Sequence, residues 1–329
     1  MSAEGGAVRG VFAALVTTFD ERRELDLPAM RGLLEYVVAQ HLAGVALFTE
    51  AGEDSLLTSD ERATLLKVVS EAVAGKKQLV VFLSAPSTSE AVELLKAAEA
   101  AEAAAVVIAP PRLPGVGYRE LYRHVDRIVR AASVPVLLAD RPGNALASLE
   151  DEEVAALVRH VELAGVFAPH AGPAELSRWK RYLGDADKLL VGGTAFNLKA
   201  LKGHGVEGAI CALSLLVPAQ AEKAWSAHQN NADGPAQEVL RATKPLVQHL
   251  GPPNPGQEED AVKRLARKIA RRPLSRPELP STYPAPSLKE ALVLQGHSLK
   301  SEVRPPYERL KAEQKERLRT ILKAGGALS

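Results

Sequence analysis

The sequence predicts a (β/α)8 TIM barrel followed by a C-terminal helical extension. Short apolar runs rich in Val, Ala and Leu alternate with segments of helical periodicity from about residue 10 to 231. The runs are apolar throughout rather than alternating, as expected of parallel strands buried on both faces. No Gly-rich phosphate turn follows the first run, so a doubly wound nucleotide-binding sheet fits less well. In a barrel, all loops that follow strands lie on one face, and the residues at those strand ends decide the chemistry.

GVFAALVTTF, residues 10 to 19, reads as the first strand and carries Thr17 and Thr18 to its end. A helix follows in LPAMRGLLEYVVAQH, with Asp26 as its N-cap. The second strand, 44 to 48, opens into the acidic loop TEAGED, and Thr58 with Glu61 forms a capping-box pattern before the next helix. The third strand, 78 to 84, precedes another such pair, Ser87 and Glu90, and an Ala-rich helix to about Glu102. The fourth, 104 to 110, leads through a Pro-rich loop to a helix from about Tyr118 to Ala132. VPVLLADRPGN, from Val134 to Asn144, is the fifth strand, ending in Asp140 and Arg141; its helix runs from about Ser148 to His160. Strands six (163 to 168), seven (KLLVGG) and eight (206 to 211) follow. Their helices lie near Leu176 to Tyr182, Thr194 to His204 and Pro218 to Gln229. The barrel is expected over residues 1–231 and the helical region over 232–329. The latter is interrupted at about 251–286 by a basic, Pro-rich insertion and closed by a helix near Tyr307 to Lys323.

At 329 residues with 46% hydrophobic and 25% charged residues, the chain suits a soluble protein with a substantial core. A net charge of +1 argues against a whole-surface preference for nucleic acid or anionic membrane. Cys211 is the single cysteine, which excludes an internal disulfide and a multi-thiolate zinc site and suits a reducing cytoplasm. MSAEGGAVRG lacks an apolar signal core, and no later run approaches the roughly 18 apolar residues of a membrane span. A cytoplasmic protein is expected.

Taken together, the chain resembles the dihydrodipicolinate synthase and N-acetylneuraminate lyase family of Schiff-base aldolases. The resemblance lies in ALVTTF, the pair Gly52-Glu53 followed by LLTSDER, Ile108 to Pro110, VPVLL with Pro142-Gly143, and Gly165-Val166. It continues through LVGG, GVEGAI, and a tail in which SLKEALVLQG and RPP resemble the family's last helices. It implies a TIM barrel, lyase chemistry on a 2-oxo acid, no cofactor, and a homo-oligomer, dimer or tetramer. The implied nucleophile is a Lys at the end of strand six, in a Gly-Ile-Lys or Gly-Val-Lys string. Here that position is Phe167, and no lysine lies between Lys96 and Lys180. The family's proton-relaying Tyr falls at Ala139, its carboxylate-binding Arg at Asn144, its Thr-Thr pair at Glu50-Ala51, and its paired Tyr at Pro111-Arg112. Nucleophile, acid/base and carboxylate clamp are lost together.

What remains at the predicted strand ends defines the candidates. Glu50, Asp140, Arg141 and His170 have the chemistry for acid/base or metal-assisted work. Thr17, Thr18, Glu53, Ser84, Arg112, Asn144 and Gly193 are candidates for holding a small carboxylate. The structural alternative pairs Glu50 with Arg112 or Arg141, lets Asp140 cap its own loop, and leaves His170 a loop residue. Cys211, Trp179 and Trp225 read as packing residues, and Gly192-Gly193 either admits a ligand or simply turns the chain. Lys263, Arg264, Arg267, Lys268, Arg271 and Arg272 give the insertion a basic face, either solvated or a contact for nucleic acid or an acidic partner. Three functions fit: a homologue degenerate for Schiff-base chemistry and kept for ligand binding, regulation or scaffolding; a non-Schiff-base enzyme on a small 2-oxo or hydroxy acid; and an interaction protein acting through the insertion.

Overall fold

The computed structural model describes residues 8–111, 113, 115–140, 145–169, 173–184, 189–193, 196, 205–250 and 285–328. Eight parallel strands close into one barrel in sequence order: β1 (Gly10–Ala14), β2 (Gly44–Leu47), β3 (Gln78–Leu83), β4 (Ala105–Ile108), β5 (Val136–Ala139), β6 (Gly165–Ala168), β7 (Leu189–Gly192) and β8 (Val206–Cys211). The helices described between and after them are α1 (Leu27–Val38), α2 (Ser59–Val73), α3 (Thr88–Ala100), α4 (Tyr118–Ala131), α5 (Asp151–His160), α6 (Pro173–Leu183) and α7 (Pro218–Gln229). Three more lie in the C-terminal region: α8 (Asp233–Leu250), α9 (Ala285–Leu294) and α10 (Ala312–Ala324). Among the described residues no helix is long and apolar enough to cross a membrane.

Local chemistry sets the helix starts. Asp26 accepts from the Ala29 amide at 3.0 Å, Ser87 from the Glu90 amide at 3.2 Å, and Thr58 and Glu61 bond each other's amides in a reciprocal capping box. Strands one to six are shorter than the apolar runs that announced them. Leu15, Val16 and Phe19, for example, lie beyond β1 but stay buried in the loop that covers it. The helix expected over Thr194 to His204 falls almost wholly outside the described residues, as does most of the basic insertion.

Strand register identifies the barrel interior. The rings of Phe82 in β3 and Phe167 in β6 meet edge to face, 5.3 Å between centroids. Their strands are not neighbours, so the rings meet across the inside of the barrel. Register partners in a parallel sheet point the same way, and side chains alternate along a strand. Phe82 pairs with Val107, Val107 with Leu137, Ala139 with Phe167, and Phe167 with Val191, so this set faces inward. At the opposite end Phe12 faces inward beside Gly44, where a Cβ would stand 2.6 Å from the Phe12 ring. Large rings beside small residues fill the interior as a packed core.

In the C-terminal region α8 packs on α7 and α10, and α9 lies between α10 and the loop that follows β2. Residues 285 to 292 are buried, which a helix achieves only by being covered on all sides.

Candidate functional site

At the carboxyl end of the barrel, the two inward positions that matter most carry hydrocarbon. Phe167 is buried against Phe82, and Ala139, its register partner, is wholly buried. Neither supplies a nucleophile or a proton donor.

The polar candidates at strands one to three are engaged in holding loops. Thr17 donates its hydroxyl to the Gly52 carbonyl at 2.6 Å and Thr18 to the Asp26 carbonyl at 2.7 Å; both are buried. Ser84 donates to the Phe48 carbonyl at 3.4 Å, while its own carbonyl accepts from Arg62 at 2.9 Å. Arg62 also reaches the Asp54 carbonyl at 2.7 Å, so one guanidinium ties the loop after β2 to the end of β3. That loop is strained at two points, Phe48 (φ 61) and Glu53 (φ 55), both in the left-handed region that non-glycine residues avoid. Glu50, half-buried, opens the 3-10 turn between them, Glu50–Gly52. Among the described residues the buried Thr49 hydroxyl has no hydrogen-bond partner.

Glu53 belongs to a buried ion pair. Its carboxylate accepts from the Lys289 ammonium of α9 and, at 2.9 Å, from the Arg304 backbone amide; both side chains of the pair are fully buried. Lys289 also donates to the Glu302 carbonyl at 2.7 Å and lies 4.3 Å over the Phe19 ring. Arg304 stacks on the same ring at 4.4 Å and pairs through both terminal nitrogens with Glu61. It further donates to the carbonyls of Leu56 (2.9 Å) and Arg23 (2.8 and 3.0 Å). Two cations thus bind the C-terminal region to the loops after β1 and β2. Burial holds the Lys289 amine down at about 8, opposed by the attraction of Glu53. Hydrogen bonds from Arg304 hold the Glu61 carboxyl at about 2. An amine so enclosed and already donating to two acceptors is a structural lysine rather than an accessible nucleophile.

Asp140, half-buried after β5, accepts from the Trp179 indole at 2.8 Å, so Trp179 both packs and orients a carboxylate. Gly193 is required by packing, because a Cβ there would collide with the Pro169 backbone. Arg112, Arg141, Asn144 and His170 lie outside the described residues, as do Lys263, Arg264, Arg267, Lys268, Arg271 and Arg272. No grouping of three or more His, Cys, Asp or Glu suited to a metal ion occurs among the described residues. The sequence reading missed Lys289, Glu302 and Arg304 as partners of the mouth loops. The signal available was the charged pair Lys289-Glu290 inside an otherwise largely apolar helix, SLKEALVLQG.

A closed eight-stranded parallel barrel, with a C-terminal helical region clamped over its carboxyl-end loops, defines the class: a TIM barrel of aldolase architecture. The chain belongs to the dihydrodipicolinate synthetase family, whose model matches residues 7–275. It is 28% identical over 261 residues to the 4-hydroxy-tetrahydrodipicolinate synthase of Brucella suis biovar 1 (strain 1330), covering 79% of this chain and 89% of that protein. It is likewise 28% identical over 237 residues to the synthase of Mycobacterium leprae (strain Br4923), covering 72% and 78%. The fold matches the crystal structure of dihydrodipicolinate synthase from Thermotoga maritima with a TM-score of 0.79, at 22% identity over 98% of this chain and all of that one. N-acetylneuraminate lyase from Mycoplasma synoviae matches at a TM-score of 0.75 and 20% identity, covering 96% and 98%.

Proposed function

We propose that this member of the dihydrodipicolinate synthetase family has given up Schiff-base aldolase chemistry and serves as a ligand-binding, regulatory or scaffolding homologue. The observation that carries the proposal is the Phe82–Phe167 contact across the barrel interior, with Ala139 beside it. Schiff-base formation needs a neutral amine within reach of a bound carbonyl and a group to relay protons. Ring and methyl occupy the positions where the family resemblance expects that amine and that relay. Lys289, whose pKa burial depresses, is enclosed by Glu53 and the Glu302 carbonyl instead. The protein is further proposed to be cytoplasmic, as its single cysteine suggests, and homo-oligomeric, as the resemblance implies, with a small carboxylate as its ligand.

The test is borohydride trapping with pyruvate and other 2-oxo acids, read by intact mass and peptide mapping, with a family synthase treated in parallel. The expected outcome is an adduct on the control and none on this protein. An adduct on any lysine here would overturn the proposal and identify a relocated nucleophile.

A further inference from the structure

The outer faces of α3 and α4 carry charges of both signs that the fold leaves unpaired. Ala91, Leu95 and Ala98 bury the inner face of α3, and Leu121, His124, Val125 and Ile128 that of α4. Helical spacing then turns Glu90, Glu93 and Lys96 of α3, and Glu120, Arg123 and Arg127 of α4, to the outside, and all six are exposed. Among the described residues none of the six forms an ion pair. Glu120 has a local task, accepting from the Gly117 amide at 3.2 Å.

Two contacts set how the helices align. Thr88 and His124 share a hydrogen bond at 2.9 Å, and Glu99 accepts from the Ser133 amide at 2.6 Å and from its hydroxyl at 2.8 Å. Both helices follow strands of a parallel barrel and run the same way, so a residue of α3 lies level with the residue 34 to 36 positions later in the chain. A two-fold axis perpendicular to the pair, at the level of Glu90 and Asp126, would lay α3 of one copy antiparallel on α4 of another. Each step along α3 is then matched by a step back along α4. Glu90 comes level with the partner's Arg127, Glu93 with the partner's Arg123, and Lys96 with the partner's Glu120. Every one of these encounters joins opposite charges. Ala97 and Ala100, also exposed, keep the outer face of α3 low enough for close approach. Asp126 sits at the level of the axis but is paired with Arg130 at 2.8 Å.

We infer that the outer face of α3 and α4 is an interface between two copies of this chain, closed about a two-fold axis by these reciprocal ion pairs. The inference rests on the homo-oligomer proposed above and names a face for it. A two-fold contact must be self-complementary, and charges of both signs at matched spacing on neighbouring helices meet that condition. A polyanion would be drawn to Arg123 and Arg127 but repelled by Glu90 and Glu93 one helix away, which favours a second copy.

The test is sedimentation velocity on the whole protein and on two charge-reversal variants, Glu93→Arg and Arg123→Glu, each alone and mixed in equal amounts. Each variant alone places like charges at both symmetry-related contacts and should weaken the association step by about tenfold or more. The mixture sets every reversed charge against an opposite one and should recover the parent's association, as should the double variant Glu93→Arg with Arg123→Glu. Recovery would also show that both single variants fold. Raising salt from about 0.05 M to about 0.5 M should weaken the parent's step, because screening shortens the reach of exposed charges. Variants that assemble as the parent does, or a mixture that stays apart, would overturn the interface and leave the homo-oligomer standing. A parent that sediments as a monomer at every concentration would overturn both.

Discussion

Lys289 and Glu53 are two charges taken wholly out of water, and each is tolerable only because of the other. Removing one partner leaves the second buried and unpaired. Lys289→Ala should therefore cost about 3–5 kcal/mol of stability in urea unfolding. The double change Lys289→Met with Glu53→Leu should recover much of that loss, because paired charges and a well-packed apolar pair can be nearly equivalent. A single variant as stable as the parent would show that water reaches the pair. The pH dependence has a definite sign. The amine titrates at about 8 in the fold against 10.5 when unperturbed, so between those values the unfolded chain binds the extra proton. Stability contributed by this group thus rises with pH across that window, and the parent should gain on Lys289→Met from pH 8 to 10.5. The opposite slope would mean that pairing, not burial, dominates. Glu61 behaves the other way: its pKa is lowered from 4.5 to about 2, so its contribution is full above 4.5 and disappears as pH falls through 2. Glu61→Gln should flatten the acid limb of the stability curve.

At the scale of elements, β6 and β7 meet so closely at their carboxyl ends that Gly193 has no room for a side chain beside Pro169. Gly193→Ala should lower the urea midpoint with little change in slope, a loss of about 1–3 kcal/mol as for other overpacked sites. An unchanged midpoint would show that the turn can yield, and would return Gly193 to the candidates for ligand approach. Most elements were legible because their determinants are local. Asp26, Thr58 and Ser87 cap the helices they announce, and α7 begins and ends where its pattern does. Strand ends were less legible, since Leu15 to Phe19 remain buried beyond the end of β1 and apolarity does not report where the regular ladder ends. α9 begins at Ala285, inside the stretch read as an insertion, because a Pro-rich approach masks a helix that tolerates Pro286 in its first turn. The site was legible only in part. That Phe167 and Ala139 lack reactive groups is plain from the residues, but Glu53 meets a lysine 236 positions away, and no spacing rule connects them.

For the whole molecule, the C-terminal region completes the barrel rather than decorating it. Lys289 and Arg304 come from beyond residue 284, yet they neutralise Glu53 and Glu61, support the left-handed Glu53, and cover the Phe19 ring. A chain ending at Asn231 would keep all eight strands and lose every one of those contacts. Glu53 would then face water or a collapsed loop, and the backbone strain at Phe48 and Glu53, of order 1–3 kcal/mol per residue, would lose the contacts that hold it. Such a truncated chain should unfold in a broad, non-cooperative transition and bind a hydrophobic dye, whereas the full chain should give one cooperative transition. Adding Glu53→Gln to the truncated chain should restore part of the lost stability, because a neutral amide is less costly to leave unpaired than a carboxylate. A truncated barrel that unfolds as sharply as the full chain would instead establish residues 1–231 as an independent domain. The C-terminal helices would then be a separate layer, held on by pairs that the barrel does not need.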